Sequence, residues 1–276
     1  MTLKESLLTP RLAVFTLGGD TPLTSYGANC VVFAGSAGTL LVDPLIAPAH
    51  ARLIAEALSR RRFPPVTHVV VTHHHTDHAL GASWFAARGA KVIAHERCAA
   101  AMVAQHPTII KERRATPALS AIFADAEPYT PAVTFSDDFR INLGDADAEA
   151  RHLGPGHTQG DCIVLFPSER AVVCGDLVFS GYHFNYEEAD LKGLPAALDA
   201  LRSIQAERFV PGHGPSGGAE LAQEQARYHR TVAQLIRDAS SPTEARVAIR
   251  ARFPAYRLEV AIESALNLFW PSESQP

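Results

Sequence analysis

The stretch His73-His74-His75-Thr76-Asp77-His78 carries the pattern HxHxDH directly after the apolar, β-branched run Val66 to Thr72. Residues two apart on an extended segment project to one side, so His73 and His75 can grip one metal ion. The chain then turns towards a helix, and Asp77 and His78 can face a second ion nearby. The plainer alternative is a polar strand-to-helix loop facing water. Four ligand-type residues in six cannot hide unpaired in a core, which favours the metal reading.

Working outward, short β segments separated by Gly and Asn turns are expected at Leu12 to Leu17, Asn29 to Phe33 and Gly38 to Asp43, with a helix from Pro48 to Arg62. Downstream of the histidine block, Ala79 to Arg88 reads as a helix stopped by Gly89, and Lys91 to Ala94 as the next strand. Residues 96–130 hold a helical piece, Pro107, Pro117, Pro128 and mixed polarity, and read as an insertion covering the mouth of a site. Strands resume at Phe139 to Leu143, Ala148 to Leu153, Asp161 to Phe166 and Ala171 to Cys174. A helix over Pro195 to Gln205 and a short strand at Arg208 to Val210 follow. From Ala219 to Leu268 the chain reads as helix punctuated at Ser241-Pro242 and Pro254. This is an α/β rhythm in two similar parts, taken as one domain over 1–276 with 219–276 as a helical extension.

Four further segments supply ligand chemistry. Gly154-Pro155-Gly156-His157 is a tight loop around one histidine, and His157 completes a three-histidine set with His73 and His75 of the kind zinc favours. Asp176 follows the apolar strand Ala171 to Cys174. Its two carboxylate oxygens can bridge two ions held roughly 3.5–4 Å apart. Pro211-Gly212-His213-Gly214-Pro215 offers a histidine that completes the second ion's set with Asp77 and His78. Asp43 ends a strand and can accept the outer N–H of a ligand histidine, with a turn-forming Asp-Pro as the alternative. Asn29, in a Gly27-Ala28-Asn29 turn, reads as a plain turn residue, with a place near the metal mouth as the alternative. His50, His68, His74, His95, His106, His152 and His229 have no partner pattern and take no role, and His74 should point away from its neighbours.

Composition excludes several classes. Lys+Arg 25 against Asp+Glu 29 gives a net charge of -4 with no basic run, so nucleic acid is not an expected partner. The amino terminus shows no export signal, and no window of about 18 apolar residues suggests a membrane span. Cys30, Cys98, Cys162 and Cys174 lack CxxC spacing, so reduced thiols packed as small hydrophobes in a cytoplasm are expected.

Taken in order from Asp43 to His213, these segments resemble the five motifs of the metallo-β-lactamase superfamily. The resemblance implies an αββα sandwich of two mixed β-sheets flanked by helices, with the site at the edge between the sheets. It implies His73, His75 and His157 on the first metal, Asp77, His78 and His213 on the second, and Asp176 bridging. With that aspartate present, the pattern looks closer to the glyoxalase II, lactonase and quinoprotein-relay branches than to true β-lactamases. Superfamily lactonases carry a tyrosine three residues after the bridging aspartate. Phe179 stands there, with Tyr182 or Tyr186 as substitutes.

The expected function is that of a di-metal hydrolase. A hydroxide between two ions, zinc first and manganese or iron admissible, attacks an ester, thioester, lactone or lactam carbonyl. Asp77 and Asp176 are the catalytic carboxylates, Asp77 as proton shuttle. Phe179, Tyr182, His183, Asn185 and Tyr186 are expected to line the pocket of a small-molecule substrate, with a surface-loop histidine as the alternative for His183. The competing readings are a mononuclear iron enzyme of the persulfide dioxygenase type, true β-lactamase activity, and a non-catalytic binding module. The carboxy-terminal helices either pack on the sandwich or form a homodimer contact.

Overall fold

Most strands of this protein are buried on both faces, and the alternation of their side chains defines the layers. The structure, a computed structural model, describes residues 2–270. One sheet contains β1 (Lys4–Leu7), β2 (Leu12–Thr16), β3 (Asn29–Gly35), β4 (Gly38–Val42), β5 (Val66–Val71), β6 (Lys91–His95) and β7 (Val133–Phe135), in that spatial order. Pairing is antiparallel from β1 to β4 and parallel from β4 to β7. The other sheet contains β8 (Asp138–Asn142), β9 (Asp147–Arg151), β10 (Ile163–Phe166), β11 (Ala171–Phe179) and β12 (Arg208–His213), ordered β12-β11-β10-β9-β8. Only β11 and β12 are parallel there.

The helices are α1 (Pro48–Arg60), α2 (Thr76–Ala79), α3 (Ala82–Ala86), α4 (Glu96–Ala115), α5 (Ser120–Phe123), α6 (Gly193–Arg202), α7 (Glu220–Asp238), α8 (Pro242–Arg252) and α9 (Ala261–Phe269). In β3, Val31 and Phe33 enter the core between the sheets, where Phe33 meets Phe166 of β10 at 4.6 Å between ring centroids. Cys30 and Val32 face the opposite way, into a core shared with α1, α3 and α4. On the far side, Val172, Cys174 and Phe209 pack with Leu198 of α6, Val232 of α7, Ile249 of α8 and Leu266 of α9. The result is an αββα sandwich. All four cysteines are buried and free. Among the described residues no helix is long and apolar enough to cross a membrane.

Several boundaries differ from the sequence expectation. β11 does not stop at Cys174 but continues through a register shift to Phe179, and β12 reaches His213. β1 and β7 were not anticipated; one is fully exposed and the other only three residues long, so neither carries a clear alternation. The expected helix Ala79 to Arg88 is instead α2 and α3, broken at Gly81. A Cβ at Gly81 would run into the Pro44 carbonyl, and its N–H donates to the Leu45 carbonyl at 2.8 Å. Pro107 sits inside α4 without ending it, removing one backbone donor from a helix anchored by Cys98, Met102, His106 and Ile110. The last six residues of the expected carboxy-terminal extension, 271–276, lie outside the described residues.

Candidate metal centre

Parallel pairing aligns carboxyl ends of strands, and four such ends meet at one edge of the sandwich. β4 and β5 run parallel and lead into Asp43 and His73, while β11 and β12 run parallel and carry Asp176 and His213. Asn29 begins β3, as the strand reading had it, and stitches this edge, which is the place near the metal mouth rather than a plain turn. Its Nδ2 donates to the carbonyls of Pro211 at 2.9 Å and Gly214 at 2.8 Å. Gly212 lies against Asp176, and any Cβ there would collide with Asp176 Oδ1.

His73, His75, His157 and Asp176 each bring one ligand atom within 4.8 Å of the others, and Asp77, His78 and His213 form a second such group. Asp176 stands between the two. Its Oδ2 is 3.7 Å from His73 Nε2, 3.4 Å from His157 Nε2 and 3.4 Å from His213 Nε2, and its Oδ1 is 3.2 Å from His78 Nε2. Asp77 Oδ2 is 3.3 Å from His213 Nε2 and 3.6 Å from His78 Nε2.

The hydrogen bonds behind these rings test whether the site suits cations. Asp43 Oδ2 accepts from Thr72 Oγ1 at 2.7 Å and pairs with His78 Nδ1 at 2.9 Å, while its Oδ1 accepts from the Thr72 N–H at 2.8 Å. With its proton given to Asp43, the Thr72 hydroxyl accepts from His73 Nδ1 at 3.1 Å. His213 Nδ1 donates to the Tyr26 carbonyl at 3.1 Å. In the neutral state these partners place the proton of each ring on Nδ1 and leave Nε2 as an inward lone pair. His78 Nε2 and His213 Nε2 then face each other at 3.3 Å, and His157 Nε2 faces His75 Nδ1 at 2.9 Å. His73 Nε2 and Asp176 Oδ1 are buried with no hydrogen-bond partner. Convergent lone pairs without donors repel one another, and a cation relieves that repulsion. The residues fit a pair of divalent ions.

Electrostatics divides the two groups. Burial lowers His73 and His75 and takes His157 to about 3, which keeps all three neutral. At His78 and His213 burial works to lower the imidazole, but Asp176 and Asp77 outweigh it and raise both, His213 to about 9, so without a cation these rings hold protons. Their charge in turn outweighs burial at Asp176 and holds its carboxyl well below the usual carboxylate range; a bound cation would take the place of those protons. The His157 loop is braced by Asp161, which accepts from the Thr158 N–H at 2.9 Å and hydroxyl at 2.6 Å. Sequence reasoning assigned no part to Asp161 or Thr72; the Thr158-x-x-Asp161 spacing is a local signal for the first, and nothing local marks the second.

A family model described as the metallo-beta-lactamase superfamily matches residues 23–213. The chain belongs to this superfamily. It is 28% identical over 183 residues to the 2,4-dinitroanisole O-demethylase subunit alpha of Nocardioides sp., covering 65% of this chain and 50% of that protein. It is 30% identical over 177 residues to the hydroxyacylglutathione hydrolase of Methylococcus capsulatus, covering 64% and 57% respectively. A metallo-beta-lactamase type 2 of Elizabethkingia meningoseptica is 24% identical, with 64% of this chain and 63% of that protein covered. The chain thus spans about half to two thirds of the length of these relatives. The solved metallo-beta-lactamase from Pontibacter korlensis shares the fold, with a TM-score of 0.65, 22% identity, and coverage of 82% of this chain and 98% of that one.

In this superfamily member the ligand edge opens into a cleft of about 860 Å³. His75, Asp77, Asp176, Phe179 and His213 line its floor, Gln105, Ile109 and Arg113 of α4 one wall, and Leu258, Val260 and residues of α9 another. The segment read as covering the mouth of a site is therefore a wall of this cleft. Phe179 stacks on the His213 ring at 4.8 Å and 8°. Asn185 and Tyr186 also line the cleft, with the Tyr186 hydroxyl 2.6 Å from His229 Nδ1. Two expected pocket residues are not brought there. The Tyr182 hydroxyl donates to the Gly19 carbonyl at 2.8 Å. His183 is neither a surface-loop residue nor a pocket residue, being buried with Nδ1 2.9 Å from the Tyr228 hydroxyl and packed on Phe253 and Tyr256. His74 turns from the inner group, with Nε2 3.0 Å from Glu188 Oε2.

Proposed function

We propose that this chain is a metal-dependent hydrolase that holds two divalent ions, zinc first among them, and acts on the carbonyl of an ester, thioester, lactone or lactam. The observation that carries the reading is Asp176, a buried carboxylate standing between two sets of inward imidazole lone pairs. In this reading His73, His75 and His157 hold one ion, Asp77, His78 and His213 the other, and Asp176 spans both. When bound, such a pair supplies Lewis acidity and a water whose pKa is lowered towards neutrality. The chain's own part is positional. Asp43 and Thr72 fix the tautomers of His78 and His73, and Phe179 packs against His213 to keep water from that side of the ring. Asp77 borders the cleft as a carboxylate that can take a proton there. The substrate is a small molecule seated between Phe179, Asn185 and α4, and the reduced, buried cysteines suit a cytoplasmic setting.

The named relatives widen the substrate panel to thioesters, β-lactams and aryl methyl ethers beside lactones and aryl esters. Initial rates on that panel, with zinc-loaded protein, with chelator, and with Asp176→Asn, test the proposal. Turnover of one class that is abolished by chelator and by the variant is the expected result. Silence on every class, with a single iron in the isolated protein, would overturn it in favour of oxygen chemistry.

A further inference from the structure

Outside the inner ligand set, His74 is buried to 3% exposure yet its Nε2 has no hydrogen-bond partner. A buried ring nitrogen without a partner is costly unless something absent from the protein satisfies it. The nearest polar atom, Glu188 Oε2 at 3.0 Å, is aimed past the ring N–H rather than along it. The other oxygen of Glu188 accepts from Gln105 Nε2 at 3.2 Å, which steadies the carboxylate over the cleft. His74, His75 and Glu188 bring ligand atoms within 4.8 Å of one another, and all three line the cleft.

We propose that His74 and Glu188, with the His75 ring beside them, form a third divalent-cation site in the cleft, and that zinc filling it obstructs substrate entry. A buried imidazole beside a half-exposed carboxylate suits zinc, with water completing its coordination on the cleft side. A neutral imidazole has one lone pair, and His75 presents Nδ1 towards His157. His74 and Glu188 therefore carry the outer ion as its two firm ligands, and it is the last to fill and the first to leave. Its blocking role rests on the hydrolase reading, whereas its existence does not.

Equilibrium dialysis of chelator-stripped protein against rising free zinc, with bound zinc counted by elemental analysis, separates the sites. The wild type is expected to take up two equivalents and then a weaker third. Glu188→Gln and His74→Gln each lose the third and keep the first two, while Asp176→Asn disturbs the first two. Where the substrate panel has identified an activity, wild-type turnover falls as the third equivalent fills, and Glu188→Gln is spared. Saturation of the wild type without an additional equivalent, or a third equivalent surviving in both outer variants, overturns the site. A third equivalent that fills without slowing turnover overturns the obstruction. Failure of the inner pair in the wild type, with an equivalent that still depends on Glu188, refutes the hydrolase reading alone.

Discussion

Asp43 occupies a left-handed backbone position, φ 58°, and from there serves two ligand histidines at once, His78 directly and His73 through the Thr72 hydroxyl. Asparagine tolerates that backbone region well but brings an amide donor where a carboxylate accepts. In Asp43→Asn the fold should survive while zinc affinity falls about 10–100-fold, as is usual when the group behind a ligand histidine is altered. Competition against a chromophoric chelator reads that loss directly. An affinity equal to wild type would show that the Asp43 hydrogen bonds do not tune the site.

Strands and helices divide the labour. Each ligand segment leaves a strand end or a tight loop, whereas the cleft walls come from α4, α9 and the segments flanking them. The helices packed behind the α9 wall depend on local signals of their own. Ser241 caps α8, its hydroxyl accepting from the Glu244 N–H at 3.1 Å, with Pro242 at the first helical position. Ser241→Ala should cost about 1 kcal/mol and Ser241→Gly only a few tenths. Thermal melts are expected to place the alanine variant about 2–4 °C below wild type and the glycine variant between them. Equal melting temperatures for all three would remove the cap from the account of α8.

Across the molecule, α7, α8 and α9 share a core with α6, β11 and β12, and we propose that they and the sandwich form one folding unit. Chelator-stripped protein in urea should then show a single transition by circular dichroism and tryptophan fluorescence together. Two separated transitions would contradict this. The same measurement has a pH dependence. Burial takes His50 and His183 down to about 4 and His229 to about 3. Their folded pKa values lie below the ~6.5 of an unfolded histidine, so the unfolded chain binds more protons on acidification. The contribution of these three histidines is held above about pH 6.5 and declines as the pH falls from there towards 4. His50→Leu should make that decline shallower, and an unchanged slope would exclude His50 as a contributor.

The candidate ligand residues that the fold brings together were legible in the chain because their chemistry is local. HxHxDH, the Gly-flanked His157 and His213, and Asp176 at an apolar run announce themselves by residue type, and the strand alternation that delivers them is equally local. Thr72 was not, and Asn29 was legible only as an alternative, since what gives them meaning lies far along the chain: Asp43 for one, Pro211 and Gly214 for the other. Tyr182 and His183 looked like pocket residues by proximity to Asp176, yet a loop leaving a strand presents successive side chains in different directions. Packing against Gly19 and Tyr228 turned both away from the cleft. Side-chain type and spacing thus determined which atoms can hold ions, while the cleft walls, the braces behind the ligands and the unpartnered nitrogen of His74 arise only where segments distant in sequence meet, because burial and hydrogen-bond satisfaction are properties of that meeting.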